Sequence, residues 1–493
     1  MIKINKNKKY LIILFSMIFI YIVLFSVMSI LKHHAFHSTA FDLSVVDYEL
    51  KHVSKGELYY TNEISGERLF ELHFRPINFL LVPFYWIYPN AETLLILQSL
   101  FLGLGALPIY LISKNKLKSN IIALIISGIY LLYVPLQAIN LIDFHFNALA
   151  IPFLLFAFYF LENNKYGCFT LFSILAAICR EEIALIVFMM GIYIILKKNK
   201  KMGAIVAGLA LIYFVFVVGF LMPYIGGEHT VLKTGSKDFL QNRYDYLGNS
   251  YKEFFETIIT KPIYVLKHIF TLPKMKYFFL LLFPAGFGIF SVFAPEILML
   301  SLPIFAMNLL SEYEPMYQIY YQYNSGIIPF IFISTIYGIP RFIKFFDEKF
   351  KKINPKKLLR FIIIFIFSAT LLFSYLYGPL PFSRVFNFEI YNVNLEFVKT
   401  GHRLIEMIPK NSSILAPVNV VPHLTEYKKV YMFPEPYPEY FKKVGINKTA
   451  SIDYIIMFDN PYALYPIKKF LPMNNYNKII QKNGWLLLKN KDI

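Results

Sequence analysis

The chain has 493 residues, of which 57% are hydrophobic and only 16% charged, with a formal net charge of +18. A soluble protein of this size needs more polar surface, and apolar runs of about 15–22 residues recur, which points to a polytopic helical membrane protein. Lys and Arg gather in short loops (Lys3 to Lys9, Lys114 to Lys118, Lys197 to Lys201, Arg341 to Arg360), a positive-inside pattern that argues against nucleic acid as a partner.

The first span, near 10–31, is too long for a cleaved signal peptide and lacks a small-residue cleavage site, so it is expected to remain as a helix. With the N-terminus on the cytoplasmic side, hydropathy gives about eleven spans. They lie near 10–31, 91–112, 120–136, 147–161, 167–179, 183–196, 203–222, 277–293, 296–310, 325–340 and 361–379. Parity then places every Lys-rich short loop inside.

The loop 32–90 is expected outside. Its apolar end, Ile77 to Pro89, is too short and Pro-interrupted to span, and reads as an interfacial helix anchored by Tyr85, Trp86 and Tyr88. The spans 167–179 and 183–196 are short, so Arg180-Glu181-Glu182 between them is expected to dip below the interface beside a polar cavity. A second outer segment, 223–276, is expected to hold short helices joined by loops at Gly226-Gly227 and Pro262. Cys168 and Cys179 share one predicted helix about 16 Å apart, too far for a disulfide.

From about 381 the pattern turns to soluble α/β. Val393 to Ile408 has amphipathic helical spacing, and strand-like runs follow at Ser413 to Val418, Lys429 to Phe433, Tyr454 to Phe458 and Trp485 to Lys489. The expected organisation is a transmembrane domain over 1–380 and a small extracytoplasmic α/β domain over 381–493. Asn411-Ser-Ser413 and Asn447-Lys-Thr449 fit the glycosylation sequon.

The candidate site residues carry two readings each. Asp42, just past the first span, is either a general base with a carboxyl raised by a partly dry interface or a solvated loop acid; Asp47 is either part of that site or a helix cap. His73-Phe-Arg75-Pro76 offers a guanidinium fork for a lipid phosphate, or an Arg that snorkels among headgroups. Asp143-Phe-His145 could share a metal, orient the imidazole or make a structural hydrogen bond. In Arg180-Glu181-Glu182 one Glu can pair with Arg180 and leave the other to accept a hydrogen bond or a cation; otherwise the triplet is an ion-paired tip. The loop Glu312 to Tyr323, with Tyr321, suits carbohydrate rings or an interfacial aromatic belt. All ten His fall on the predicted outer side, yet their spacing matches no metal signature. No phosphate loop, nucleophile elbow or dinucleotide fingerprint is present.

These residues also carry a resemblance. Phe41-Asp42-Leu43, His73-Phe-Arg-Pro76, Leu97-Gln98, Ala106-Leu-Pro108, Asp143-Phe-His145 with Pro152, Arg180-Glu-Glu182, Tyr321 with Pro329, Val421-Pro-His-Leu424 and Tyr431-Met-Phe-Pro434 run in order along nearly the whole chain. As a set they resemble a family of prokaryotic multi-pass membrane proteins known as domain of unknown function 2079. Its layout is similar to the GT-C-fold glycosyltransferases, which use polyprenyl-phosphate sugars. The resemblance implies an all-α, GT-C-like membrane domain with an α/β C-terminal domain. It implies transfer of a sugar from a polyprenyl-phosphate donor to a glycan, lipid or protein acceptor on the outer face of the cytoplasmic membrane. Asp42 would stand at the base position, with Asp47 or Asp143 shaping the acceptor site. Arg75 and Pro76 would stand where donor-lipid contact begins. The remaining substrate-binding candidates are His73, His145, Arg180, Glu181, Glu182 and Tyr321. Many such enzymes pair two acids at the base position, whereas Leu43 follows Asp42 here, so a divalent metal stays open as a cofactor. The competing classes are a transporter or flippase for a solute or lipid-linked sugar, and a non-enzymatic membrane scaffold.

Overall fold

A computed structural model describes residues 6–60, 62, 64–226, 243–284, 288–350, 354–433, 452–459 and 473–492; Gly227, Pro434 and Asn447-Lys-Thr449 lie outside them. The chain packs as two compact units. One comprises Met1–Phe25, Phe70–Ile77 and Leu97–Phe386, the other Ser26–Leu69, Asn78–Ile96 and Asn387–Ile493.

The first unit is helical. Among the described residues of the whole chain, five helices are long and apolar enough to cross a membrane: Lys8–His34, Ala91–Leu117, Lys200–Ile225, Ile328–Phe350 and Pro355–Tyr377. The pair Asn120–Leu131 and Val134–Leu141, bent by 45°, makes up to six. Four further predicted spans are helices of 17 residues or fewer, Phe146–Glu162, Tyr166–Ala177, Ile183–Lys197 and Pro295–Leu310. The expected run 277–293 is divided between Leu272–Leu282 and a separate turn, Ile289–Val292. A hydropathy window cannot separate a lipid-facing span from a short helix that is apolar because protein surrounds it. Phe146–Glu162 is the second kind, buried along most of its length.

Small residues let neighbouring helices approach. A Cβ on Gly203 would meet the Ile195 backbone nitrogen at 2.5 Å and the Gly191 carbonyl oxygen at 2.7 Å, so Ile183–Lys197 and Lys200–Phe216 pack backbone to backbone. Cys168 is exposed and Cys179 buried, both as free thiols.

Among the described residues, the second unit contains a five-stranded sheet in the order β2-β1-β3-β5-β4. The strands are β1 (Ser413–Pro417), β2 (Lys429–Phe433), β3 (Tyr454–Phe458), β4 (Tyr476–Lys482) and β5 (Trp485–Asn490). β1 pairs in parallel with β2 and β3, with Leu415 opposite Tyr431 and Ile455. β5 runs antiparallel to β3 and β4, with Leu487 opposite Ile456 and Ile480. The Glu396–Glu406 helix buries Val398, Leu404 and Ile405 in a core shared with Ile414, Ile456, Trp485 and Leu487. This is the amphipathic helix and strand pattern expected from the sequence, plus one strand, β4, whose side chains are mostly exposed.

The unit also holds the turn Ala40–Ser44 and the helices Val45–Ser54 and Asn78–Ile87. The latter is a short apolar helix at the stretch expected to be interfacial, with Trp86 70% and Ile87 83% exposed. Tyr85 corrects its reading as an anchor. It is buried, because its hydroxyl is drawn to Asp47 at 2.8 Å.

Candidate functional site

In the helical unit the charged residues close on one another. The stretch 70–77 runs beside the break between the Tyr166–Ala177 and Ile183–Lys197 helices, where the Ile77 N–H donates to the Ile178 carbonyl at 3.2 Å. Arg180-Glu181-Glu182 forms that break, and two acids at the N-terminus of the following helix suit its dipole. Glu181 accepts from His73 Nδ1 at 2.8 Å and from the Phe74 N–H at 3.1 Å. Arg180 donates to His73 Nε2 through Nη2 at 3.0 Å and pairs with Glu182 through Nε at 2.9 Å.

This pattern fixes the imidazole tautomer. A guanidinium can only donate, so Nε2 must be the bare acceptor and Nδ1 must carry the proton given to Glu181. Burial and the Arg180 charge hold His73 below the usual imidazole range, consistent with a neutral ring. Burial alone would raise Glu181, but His73 and Arg180 bring it down to about 2. Burial pushes Glu182 up to about 7, against the pull of Arg180. One acid of the pair therefore stays ionised while its neighbour titrates near neutrality.

Two more arginines belong to this cluster. Arg75 stacks its guanidinium 4.9 Å from the centre of the Phe146 ring and adds to the field on His73. Arg243, which the sequence reading did not single out, acts electrostatically on Glu182. Its guanidinium lies 5.3 Å from the Tyr313 ring and 5.8 Å from the Tyr323 ring, and Nη1 reaches Met316 Sδ at 3.7 Å. A lone Arg in a mixed segment gave no signal; its two tyrosine partners, in the loop already noted for its aromatics, were the available hint.

Asp143 and His145 lie in sequence between the 70–77 stretch and Arg180-Glu181-Glu182, next to the Phe146 on which Arg75 stacks. Asp143 takes a left-handed backbone (φ 82°), an uncommon state for a residue with a Cβ. Gln98 braces the loop. Its Nε2 donates to the Ile139 carbonyl at 3.1 Å and to the Asp143 carbonyl at 2.5 Å, and its Oε1 accepts from the His145 N–H at 2.8 Å. His145 then leads into the Phe146–Glu162 helix, where Asn147 Nδ2 donates to the Gln322 carbonyl at 3.1 Å. Tyr321 is half-buried in the adjoining loop.

The predicted acids of the first outer loop belong to the other unit. Asp42 sits half-buried on the π-helical turn Ala40–Ser44, a geometry found often at functional positions. Asp47 is 1% exposed and fully engaged. It accepts from the Tyr85 hydroxyl and the Thr425 hydroxyl and pairs with Lys51 at 2.9 Å, while Lys51 also donates to Thr425 at 2.9 Å. Glu49 accepts from Asn78. Asp47 thus ties the Val45–Ser54 helix, the Asn78–Ile87 helix and Thr425 together. Among the described residues, no three His, Cys, Asp or Glu are grouped so as to hold a metal ion.

The sequence profile of a family described as predicted membrane protein (DUF2079) matches residues 32–491, and the chain belongs to that family. The fold is similar to that of ArnT from Cupriavidus metallidurans. Against its structure bound to undecaprenyl phosphate the TM-score is 0.52 at 11% identity, covering 95% of this chain and 97% of that one. Against its apo structure the TM-score is 0.53 at 11% identity, covering 98% of each chain. No curated protein matches the sequence significantly. The expected GT-C-like membrane fold with a small C-terminal sheet is therefore the fold observed.

Proposed function

We propose that this DUF2079 membrane protein is a glycosyltransferase that moves a sugar from a polyprenyl-phosphate donor to an acceptor at the outer face of the cytoplasmic membrane, with its N-terminus inside. The observation that carries the reading is the cluster in which Arg180 and Arg243 act on Glu182, Arg180 on Glu181 and Arg75 on their neighbour His73. It lies in a fold whose solved relative was captured with undecaprenyl phosphate. The cluster holds three arginines and two acids, one of which titrates near 7, so it keeps a net positive charge suited to a lipid phosphate.

In the proposed reaction Asp42 accepts the proton of the acceptor hydroxyl, and the acceptor oxygen bonds to the anomeric carbon with inversion. The bond from that carbon to the phosphate oxygen breaks, and its electron pair leaves with polyprenyl phosphate. The leaving group is already an anion, so Arg75 and Arg180 can stabilise its growing charge without a general acid. Asp47, locked by three partners, holds the Asp42-bearing segment in place rather than taking a proton.

The test is the full chain in lipid vesicles, supplied with polyprenyl-phosphate sugars and scored for released polyprenyl phosphate. Release coupled to a glycosylated acceptor supports the reading. Movement of intact donor across the bilayer with no cleavage would instead establish the flippase.

A further inference from the structure

The segment that leads to Asp42 begins with an unusual helix end. After the first helix, the His37 N–H donates to the Lys32 carbonyl at 3.1 Å and the Phe36 N–H to the His33 carbonyl at 2.9 Å. That double closure places one residue in the left-handed region, a position usually given to glycine. Here the residue is Phe36, with φ 62° and 2% exposure. An aromatic residue persists in that conformation only when its surroundings hold it there.

The C-terminal domain supplies the hold. The Phe36 ring stacks on His402 at 4.7 Å and meets His423 and Trp485 edge-on at 4.6 and 5.2 Å. His402 Nε2 donates to the His34 carbonyl at 2.8 Å and His423 Nε2 to the His33 carbonyl at 3.0 Å. Those carbonyls belong to the last turn of the helix, where the regular i+4 N–H partners run out, and the His33 carbonyl takes the His423 donor beside the Phe36 N–H. Asn419 Nδ2 donates to the Phe36 carbonyl at 3.1 Å, and the Ala40 N–H donates to the Val418 carbonyl at 2.9 Å. The socket has no slack, since a Cβ on Gly401 would come within 2.8 Å of the Phe36 ring.

The location in the sheet adds to this. The strand order reverses at β1, with the parallel strands β2 and β3 laid on opposite sides of it, and open α/β sheets take ligands at the carboxyl ends of strands at such a point. Val418 and Asn419 directly follow β1, and what they grip is the chain's own residues 36–40. The π-helical turn bearing Asp42 starts at Ala40, the last gripped residue.

We propose that the C-terminal α/β domain is a clasp for residues 33–40, and that Phe36, His402 and His423 are positioning residues that aim the Asp42 carboxylate. Burial holds both His402 and His423 below the usual imidazole range, so each ring is a neutral donor through Nε2. The clasp rests on the proposed role of Asp42 for its purpose, though not for its existence.

The experiment uses the full chain in lipid vesicles and two readouts, hydrogen exchange over residues 37–44 and the steady-state kcat and KM for a polyprenyl-phosphate sugar. Phe36→Ala is expected to speed exchange about tenfold or more, and to lower kcat by roughly 10- to 100-fold with KM nearly unchanged, as for a misaimed group. His423→Ala should act in the same direction. His423→Gln and His402→Gln, whose amide can replace the Nε2 donor, should restore both readouts. If Phe36→Ala does not fold, Phe36→Leu takes its place, with a smaller effect of the same sign. Unchanged exchange over 37–44 in Phe36→Ala and His423→Ala, or equal behaviour of the Ala and Gln variants, would overturn the clasp. Full turnover in Asp42→Asn overturns the role of Asp42 alone, because the exchange arm still judges the clasp.

Discussion

The two charged regions of this protein are built on opposite principles. In the helical unit Arg180, His73, Glu181 and Glu182 satisfy one another across more than a hundred residues of chain, with charge as the main content. In the unit that carries Asp42, the acids at 47 and 49 are consumed by structure, and Asp42 itself sits half-buried on the π-helical turn Ala40–Ser44. A cluster rich in paired cations suits the binding of an anion. A carboxylate on a shaped turn suits the movement of a proton. The division between a phosphate-holding region and a proton-taking region is what the following substitutions would sharpen or break.

The largest effect is expected at Asp42. Asp42→Asn should lower turnover by about 10²–10⁴-fold while leaving donor binding intact, measured as kcat against KM. Glu181→Ala should act mainly on stability. It leaves His73 Nδ1 and the Phe74 N–H without their buried acceptor and Arg180 with one fewer nearby anion, at a cost of roughly 3 kcal/mol, seen as a lowered unfolding temperature in detergent. Arg180→Lys keeps the charge but loses the fork that serves His73 and Glu182 together, and should raise KM for the lipid donor about tenfold with a smaller change in kcat. Tyr85→Phe removes one donor from the buried Asp47 and should cost about 1 kcal/mol of stability.

The smallest effect is a pH dependence. With the Glu182 carboxyl at about 7, acidification from pH 8 to 6 protonates it and leaves the cluster one unit more positive. KM for a phosphate-bearing donor should therefore fall a few-fold over that interval. Glu182→Gln should flatten this part of the profile, and an unchanged profile in that variant would assign the titration to another group.

Much of the architecture is legible in the residues. The apolar runs fall on helices, and β2 and β3 match their predicted bounds because alternation and β-branched content mark buried strands. β4 escaped because it is a polar edge strand, Tyr476 to Lys482, although Asn483-Gly484 behind it is a strong hairpin turn signal and both residues have positive φ. The length of the spans was less legible, since burial inside a bundle and burial in lipid select the same side chains.

At the candidate site, the local triplets could be read but their partners could not. His73 with Arg180, and His33 with His423, are pairings over long separations for which a single sequence holds no register. Tyr85 shows the same limit, since its neighbours look interfacial while its own hydroxyl is buried on Asp47. Phe36 is the extreme case. Nothing in Ala35-Phe36-His37 announces a left-handed residue, because the usual glycine is missing and the socket lies nearly four hundred residues away.

The account requires Asp42 and the arginine cluster to work from the same side of the membrane, and sidedness can be measured directly. With Cys168 and Cys179 replaced by alanine, single cysteines would be placed at the exposed neighbours Phe41 and Leu72. They would then be challenged with a membrane-impermeant maleimide in intact cells. Labelling of both from outside, without permeabilisation, is the predicted result. If one reacts from outside and the other only after the membrane is opened, the proposed transfer reaction is contradicted.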